Sequence, residues 1–161
     1  MIDVSLRDIA RAADVDVALI GRYVGPRDEL IDEVFRAVSS SLVAELKSKP
    51  LGQLDHGRDS NLGRWIGLLS YYNSRNISAP TDGPDPIRTL ASTLESGYAL
   101  DPAAAKVRAA QITAISIGWR LFEAHLVRST GLDGLPVHVL RDDLTEIQRR
   151  IGAIPWPSEP S

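Results

Sequence analysis

The chain has 161 residues, of which 43% are hydrophobic and 24% are charged, and these proportions are typical of a globular protein with a substantial apolar core. Its formal net charge of −3 excludes a global electrostatic attraction to nucleic acid. The lack of cysteine excludes disulfide bonds and thiolate metal sites. No apolar run approaches the roughly 20 residues needed to span a bilayer, and the N-terminus shows no signal-peptide pattern. We therefore expect a cytoplasmic protein without membrane association.

Near the N-terminus, the spacing of apolar residues predicts two short helices separated by a turn. The first is predicted from about Ser5 to Ala13, with Ser5 as its N-cap and Asp8 completing a capping box. A turn at residues 14–16 follows, and Asp16 caps a second helix that ends near Val24. The apolar positions expected to face inward are Leu6, Ile9, Ala10, Ala13, Val15, Ile20 and Val24.

Helical spacing continues along the rest of the chain, and the expected fold class is all-α. Longer helices are predicted over about 27–49, 61–77, 86–96, 102–130 and 136–151. Asp85 and Asp101 each precede a proline and are expected to cap two of these helices. Positions expected on buried stripes include Val34, Phe35, Leu42, Ile87 and Leu90. The last helix carries an apolar stripe, including Val137, Leu144 and Ile147, that could complete a dimer interface.

Two segments of the sequence resemble a known protein family. The stretches LRDIARAADV (6–15) and IGRYVGPRDELIDEVF (20–35) resemble the TetR (tetracycline-repressor) family of transcriptional regulators. The matching positions are Leu6, Arg7, Asp8, Ile9, Ala10, Arg11, Ala13, Val15, Arg22, Gly25, Glu29 and Leu30. The resemblance implies a helix-turn-helix DNA-binding domain with a connecting helix over residues 1–48. It also implies a ligand-binding and dimerisation domain over 49–154, and the Pro-rich residues 155–161 are expected to be an extended tail.

The chain departs from the family pattern at several positions of this block. Asp14 occupies the position of the family's turn glycine, and Gly21 that of an exposed tyrosine on the recognition helix. The family also has a helix before this block, whereas here only residues 1–3 precede Val4. The first helix of the DNA-binding domain is therefore missing from this chain, and we expect the natural product to carry another helix upstream.

Position in the family pattern assigns the candidate DNA-binding residues, which are Ser5, Arg7, Asp16, Val17, Ala18, Leu19, Gly21, Arg22, Tyr23 and Arg27. The second helix would lie in the major groove, where Arg22 and Tyr23 are its strong hydrogen-bonding side chains. Arg27 at a helix start suits a phosphate. However, residues 1–27 hold four arginines and four aspartates, and this balance is unfavourable for binding a polyanion.

The helices of the C-terminal part are those that the family uses to enclose an effector. The candidate ligand-binding residues are Trp65, Leu69, Tyr72, Gln111, Ile115, Trp119 and Phe122. An apolar cavity with a few polar groups is the usual form of a small-molecule site, so we expect an apolar or aromatic effector. Ordinary core packing of these residues is the alternative.

The last two helices are expected to form a homodimer interface, with intramolecular packing as the alternative. Gly118 lies inside a predicted helix, where glycine costs about 1 kcal/mol relative to alanine, so a close helix approach is expected there.

These patterns favour a DNA-binding transcriptional regulator, interpreted as a repressor whose partners are a double-stranded DNA operator, a second copy and an unidentified small-molecule effector. The three histidines lack metal-ligand spacing, and there is neither a nucleophile elbow nor a phosphate loop. We therefore expect no enzyme activity, no cofactor and no metal. The alternative is a helical ligand-binding or dimerisation module that has lost DNA binding.

Overall fold

The computed structural model describes residues 5–50, 53–57 and 59–154, and these residues form seven α-helices and no strand. The helices are α1 (Leu6–Ala12), α2 (Val17–Tyr23), α3 (Arg27–Ser48), α4 (Asn61–Ser74), α5 (Pro86–Tyr98), α6 (Pro102–Ser129) and α7 (Val137–Ala153). The predicted all-α fold class is confirmed. None of the described helices combines the length and the hydropathy that a bilayer crossing requires. The expected extended tail at 155–161 lies outside the described residues.

Side-chain caps start the helices where the sequence predicted them. Ser5 and Asp8 form a reciprocal capping box, in which each side chain accepts a hydrogen bond from the other residue's backbone N–H at 3.2 Å. The Oδ1 of Asp85 accepts two backbone N–H groups at 2.9 and 3.1 Å, and that of Asp101 accepts two at 2.9 and 3.0 Å. The proline after each of these aspartates lies at the start of its helix, where its missing donor costs nothing.

Three helix ends differ from the predicted bounds by two or three residues, one of them being that of α7, which continues to Ala153 rather than ending near residue 151. α4 ends at Ser74 rather than near residue 77, and Asn76 two residues later has a left-handed backbone with φ of 55°. α5 continues to Tyr98 rather than ending near residue 96, and the left-handed Ala99 stops it. At the ends of α4 and α5 the left-handed residue is not a glycine and no proline follows directly, so the sequence contains no such stop signal there. The apolar pattern alone therefore misplaced these two helix ends.

The core is centred on α5, which packs against α3, α6 and α7, while α4 packs against α3 and α6. Leu94 of α5 and Ala109 of α6 are fully buried. Small side chains on α6, such as Ala105, let its backbone approach α5 closely. α7 also comes close, since a Cβ added to Gly152 would lie 3.0 Å from a methyl carbon of Leu94. The arrangement buries Trp65 and Ile66 of α4 in the same cluster.

Four predicted inward positions are exposed in this chain, and those predictions are wrong. They are Ala13, and also Val15, Val34 and Ile87, which are between 37% and 45% exposed. Val137 and Ile147, on the stripe of α7 that could complete a dimer interface, are 47% and 43% exposed. Helical periodicity identifies an apolar face, but the neighbouring helices decide how much of that face is covered. Conversely, the pattern missed the buried polar side chains, which are Ser39, Arg108, Ser116 and Gln148.

Candidate nucleic-acid interface and effector cavity

The turn between α1 and α2 has a specific backbone geometry. Asp14 adopts a left-handed conformation with φ of 54°. The N–H of Val15 donates to the carbonyl of Ala10 at 3.0 Å, and the N–H of Asp14 donates to that of Arg11 at 3.4 Å. These two bonds define a Schellman motif, whose left-handed position is usually glycine. Asp14 therefore occupies the left-handed position of this motif with a strained backbone, whereas a glycine would adopt the same conformation without strain.

The second helix is capped at its start and stopped by glycine at its end. The Oδ1 of Asp16 accepts the N–H of Ala18 at 2.8 Å, as predicted for an N-cap. After α2, Gly25 has φ of 101°, and a Cβ built on it would collide with the Glu29 side chain. The positive φ favours glycine at this turn, which directs the chain into α3, whereas the Glu29 side chain is flexible and could move aside.

Few side chains of the hairpin formed by α1 and α2 are buried, and most of the surface of α2 is exposed. Ala10 and Ile20 are its buried side chains, and α1 and α2 pack against each other. The predicted groove-facing residues of α2 are all exposed, namely Val17, Ala18, Leu19, Gly21, Arg22 and Tyr23. Tyr23 is 77% exposed, and the Arg22 guanidinium lies 5.7 Å from its ring centre. The hairpin therefore presents one continuous surface.

The other predicted DNA-binding residues have different surroundings. Ser5 and Asp16 are exposed, and their side chains are engaged as helix caps. Arg7 is exposed on α1. Arg27 is directed toward α4, where its Nη1 donates to the Tyr71 hydroxyl at 3.0 Å, and its side chain is 23% exposed. The side chain of Arg27 is therefore less accessible than the other candidate DNA-binding side chains, although its backbone lies at the start of α3 as predicted.

Arg27 belongs to an aromatic junction between α3 and α4 that the sequence reasoning did not identify. Its guanidinium lies 5.5 Å from the ring centre of Tyr71, which stacks edge-on with Tyr72 at 5.6 Å. The Tyr72 hydroxyl donates to Asp32 at 2.6 Å, and burial together with this hydrogen bond raises the pKa of Tyr72. Phe35 packs edge-on against the same ring at 5.4 Å. This junction joins the helix that follows the hairpin to the rest of the bundle.

An apolar cavity of about 40 Å³ lies inside the bundle. Its lining comes from α3 to α7 and from the connection before α4, and it includes Trp65 from the predicted effector set. A smaller pocket shares four lining residues with it and includes Trp119. The shared residues are His56, Leu62, Ile66 and Ser116.

The structure divides the predicted effector residues rather than gathering them around one space. Phe122 is 57% exposed, and Gln111 is exposed and accepts a hydrogen bond from Arg108 at 2.9 Å. Tyr72 belongs to the aromatic junction, while Leu69 and Ile115 are half-buried. Helical spacing placed these side chains on a common inner face, but the neighbouring helices cover only part of that face.

Two polar features of the cavity were not predicted from the sequence, namely the hydrogen-bonded pair of Gln148 and Ser116 and the ring of His56. Gln148 of α7 is buried and its Nε2 donates to Ser116 at 2.8 Å, while Ser116 donates to the Ile112 carbonyl. His56 lies in the connection before α4, and burial lowers its pKa, with the Asp55 charge opposing this effect. A buried polar pair between α6 and α7 requires the tertiary pairing, which single-helix patterns do not contain.

The fold and the hairpin define an all-α protein with an exposed helix-turn-helix surface, and comparison with known proteins agrees with this description. The chain is similar to the HTH-type transcriptional repressor Rv3405c and the HTH-type transcriptional regulator MT3513 of Mycobacterium tuberculosis, and to the HTH-type transcriptional regulator Mb3439c of Mycobacterium bovis. Each is 28% identical over 150 residues, which cover 91% of this chain and 77% of the relative. No family model and no solved structure matches the chain.

Proposed function

We propose that this protein is a DNA-binding transcriptional regulator of TetR type, acting in the cytoplasm as a repressor that a small apolar or aromatic effector releases from its operator. The observation that chiefly supports DNA binding is the capped hairpin with the exposed face of α2. Its Schellman turn and N-cap hold two short helices in the relation that lets the second enter a major groove. The similarity to HTH-type regulators extends over most of the chain.

The exposed side chains of α2 are mostly apolar, so we expect them to make van der Waals contacts with DNA and only a few base-specific hydrogen bonds. Leu19 and Val17 are 48% and 38% exposed and can contact thymine methyl groups. Arg22 is exposed and can reach guanine edges or phosphates through its fork of donors. Arg11, by contrast, lies 3.5 Å from the Asp8 carboxylate, which reduces its contribution to attracting phosphate. Arg22 is therefore the side chain on which the proposed DNA contact depends most.

An exposed apolar face supports a homodimer. Large apolar side chains on α6, on α7 and on the segment between them are exposed, namely Leu121, Phe122, Leu135, Val137, Val139 and Ile147. A concentration of exposed apolar side chains on two packed helices is typical of an interface. A two-fold dimer would present two hairpins to two half-sites, as such readers require.

A gel-shift titration on the DNA preceding the protein's own gene tests the function. We expect a sequence-specific shift that weakens steeply between about 50 and 200 mM salt, because phosphate neutralisation releases counterions. Replacing Arg22→Ala should weaken specific binding at least about tenfold, which corresponds to the loss of one good base contact.

Arg88→Ala provides the matched control, because Arg88 is also an exposed helical arginine but lies on α5, away from the hairpin. It should bind as the unaltered protein does. If the unaltered chain gives no sequence-specific shift, the alternative function is favoured: a helical ligand-binding or dimerisation module without DNA binding.

A further inference from the structure

We propose that the effector of this regulator is a small uncharged molecule with an apolar body and one hydroxyl group, bound with its hydroxyl beside Trp119, Glu123 and His56. This inference rests on the proposed function for its regulatory meaning, but the binding site itself is argued from the structure. The apolar body would occupy the space next to Trp65.

The two adjoining spaces differ in character. The larger cavity is walled mainly by leucine and isoleucine side chains and by Trp65, whose indole Nε1 also lacks a hydrogen-bond partner among the described residues. The smaller pocket adds Trp119, Arg120, Glu123 and Arg141. Because the spaces share His56 and three further residues, an elongated ligand could lie across both. One end of such a site is apolar and the other is polar, which favours an amphipathic occupant.

The polar end contains buried atoms that lack hydrogen-bond partners within the described part of the chain. They are the indole Nε1 of Trp119, the Oε1 of Glu123 and the Nε2 of His56. Leaving such groups unpaired is costly, so each of them calls for a partner. Trp119 can only donate, and an ionised Glu123 can only accept. A hydroxyl group both accepts and donates, and so satisfies this pair with one atom.

The charges at this end favour a neutral head group over an anionic one. The Glu123 carboxylate lies 3.8 Å from Arg120 and 3.7 Å from Arg141, beyond ordinary hydrogen-bond length, and its side chain is 17% exposed. One carboxylate balances one of the two guanidinium charges, and solvent reaches the other arginine, Arg141, whose side chain is 30% exposed. An anionic ligand would place a second negative charge beside the Glu123 oxygen that accepts no hydrogen bond, which is unfavourable in a poorly solvated site. Burial lowers the pKa of His56, and a neutral ring with its hydrogen on Nε2 donates to the second lone pair of the hydroxyl oxygen.

The size of the cavity limits the ligand and indicates what moves when it binds. About 40 Å³ is less than the roughly 150 Å³ of a cavity that accommodates benzene, so the lining must open. Leu54 and His56 lie in the connection between α3 and α4, whereas the other lining residues lie on helices. Connections yield more readily than packed helices. A ligand the size of one aromatic ring would therefore displace Leu54 in this connection, while its hydroxyl stays beside His56.

Isothermal titration calorimetry of the full chain with para-ethylphenol, ethylbenzene and para-ethylbenzoate tests the site. We expect para-ethylphenol to bind about tenfold more tightly than the other two. Trp119→Phe and Glu123→Gln should each remove most of this preference, while Glu95→Gln, the same change at an exposed residue of α5 outside the two pockets, should leave it unchanged. Circular dichroism melting of each variant checks that it folds.

The outcomes separate the site from the regulatory role. No binding of para-ethylphenol, equal binding of ethylbenzene or tighter binding of para-ethylbenzoate overturns the proposed ligand class, whatever the variants do. Selective para-ethylphenol binding that also releases DNA in the gel shift supports both proposals. Selective binding to a protein that shows no specific DNA shift supports the ligand site while contradicting the proposed regulator function.

Discussion

At the scale of single residues, Asp14 combines two costs in the proposed DNA-reading hairpin. Its backbone is left-handed, a conformation that costs most residues other than glycine about 1–2 kcal/mol, although aspartate tolerates it better than most. Its carboxylate also adds negative charge to a surface that is proposed to meet phosphates. The sequence comparison with the TetR pattern marked this position as a substitution for glycine, and the Schellman geometry supplies the physical reason for that glycine.

Replacing Asp14 separates these two costs. Asp14→Asn removes the charge while keeping a side chain that tolerates the left-handed region, and it should raise DNA affinity roughly twofold at low salt. Asp14→Gly should give the same gain in affinity and also stabilise the fold by up to about 1 kcal/mol, since relief of strain exceeds the added backbone entropy of the unfolded chain. Gel shifts and urea denaturation measure the two effects. Equal stability of the Asn and Gly variants would contradict the strain argument.

At the scale of elements, the close approach of α7 to α5 depends on Gly152. Its missing side chain leaves 3.0 Å between a built Cβ and the fully buried Leu94, and 3.5 Å to the Tyr98 ring. Leu94 cannot retreat, because it is enclosed by the core. The sequence also predicts a close helix approach at Gly118, in the dimer interface. A Cβ there would meet nothing within 4 Å in the described part of one chain, so that approach stays a prediction about the dimer.

A pair of glycine substitutions tests this packing. Gly152→Val should lower the free energy of unfolding by about 1–3 kcal/mol, because the added methyl groups overpack the contact between α5 and α7. Gly67→Val is the matched control, since Gly67 lies inside α4 with open space around it. Its effect should remain within about 0.5 kcal/mol, because valine is a slightly better helix former than glycine. Urea denaturation followed by circular dichroism measures both, and similar effects at the two sites would refute the close approach.

At the scale of the whole molecule, exposed apolar residues lie on α6 and α7, the two helices for which the sequence predicts a dimer interface. Phe122 and Leu121 are more than half exposed, and Val137 and Ile147 of α7 are close to that. The sequence pattern correctly identified an apolar stripe on α7, but the single chain leaves part of it uncovered. We interpret this uncovered face as the surface that a second copy covers.

Phe122→Glu tests the proposed dimer. A carboxylate at the centre of an apolar interface loses its hydration, so we expect the dimer to dissociate at least about tenfold more readily. Analytical ultracentrifugation should show the unaltered protein at twice its chain mass of 17.5 kDa, and the variant shifted toward the single-chain mass.

Ile77→Glu is the control, because Ile77 is similarly exposed but lies in the loop after α4. It should leave the mass of the protein unchanged. A single-chain mass for the unaltered protein across the micromolar range would rule out the dimer.

The sequence alone determined the local structure well, because local rules act within a few residues. The caps at Ser5, Asp16, Asp85 and Asp101 and the glycine stop at Gly25 followed from side-chain chemistry and backbone freedom. Helical periodicity gave the all-α fold class and the approximate helix bounds. The exposed hairpin surface also followed, because it is built from contiguous residues.

Only the tertiary structure decided which faces are covered and which polar groups meet. The contact of Arg27 with Tyr71 joins residues far apart in the chain, and so does the buried pair of Gln148 and Ser116. The cavity likewise depends on five helices and a connection, so the predicted effector residues could be placed on inner faces but not around one space. Periodicity fixes the direction of a side chain relative to its own helix, whereas burial and site geometry depend on where the neighbouring helices pack.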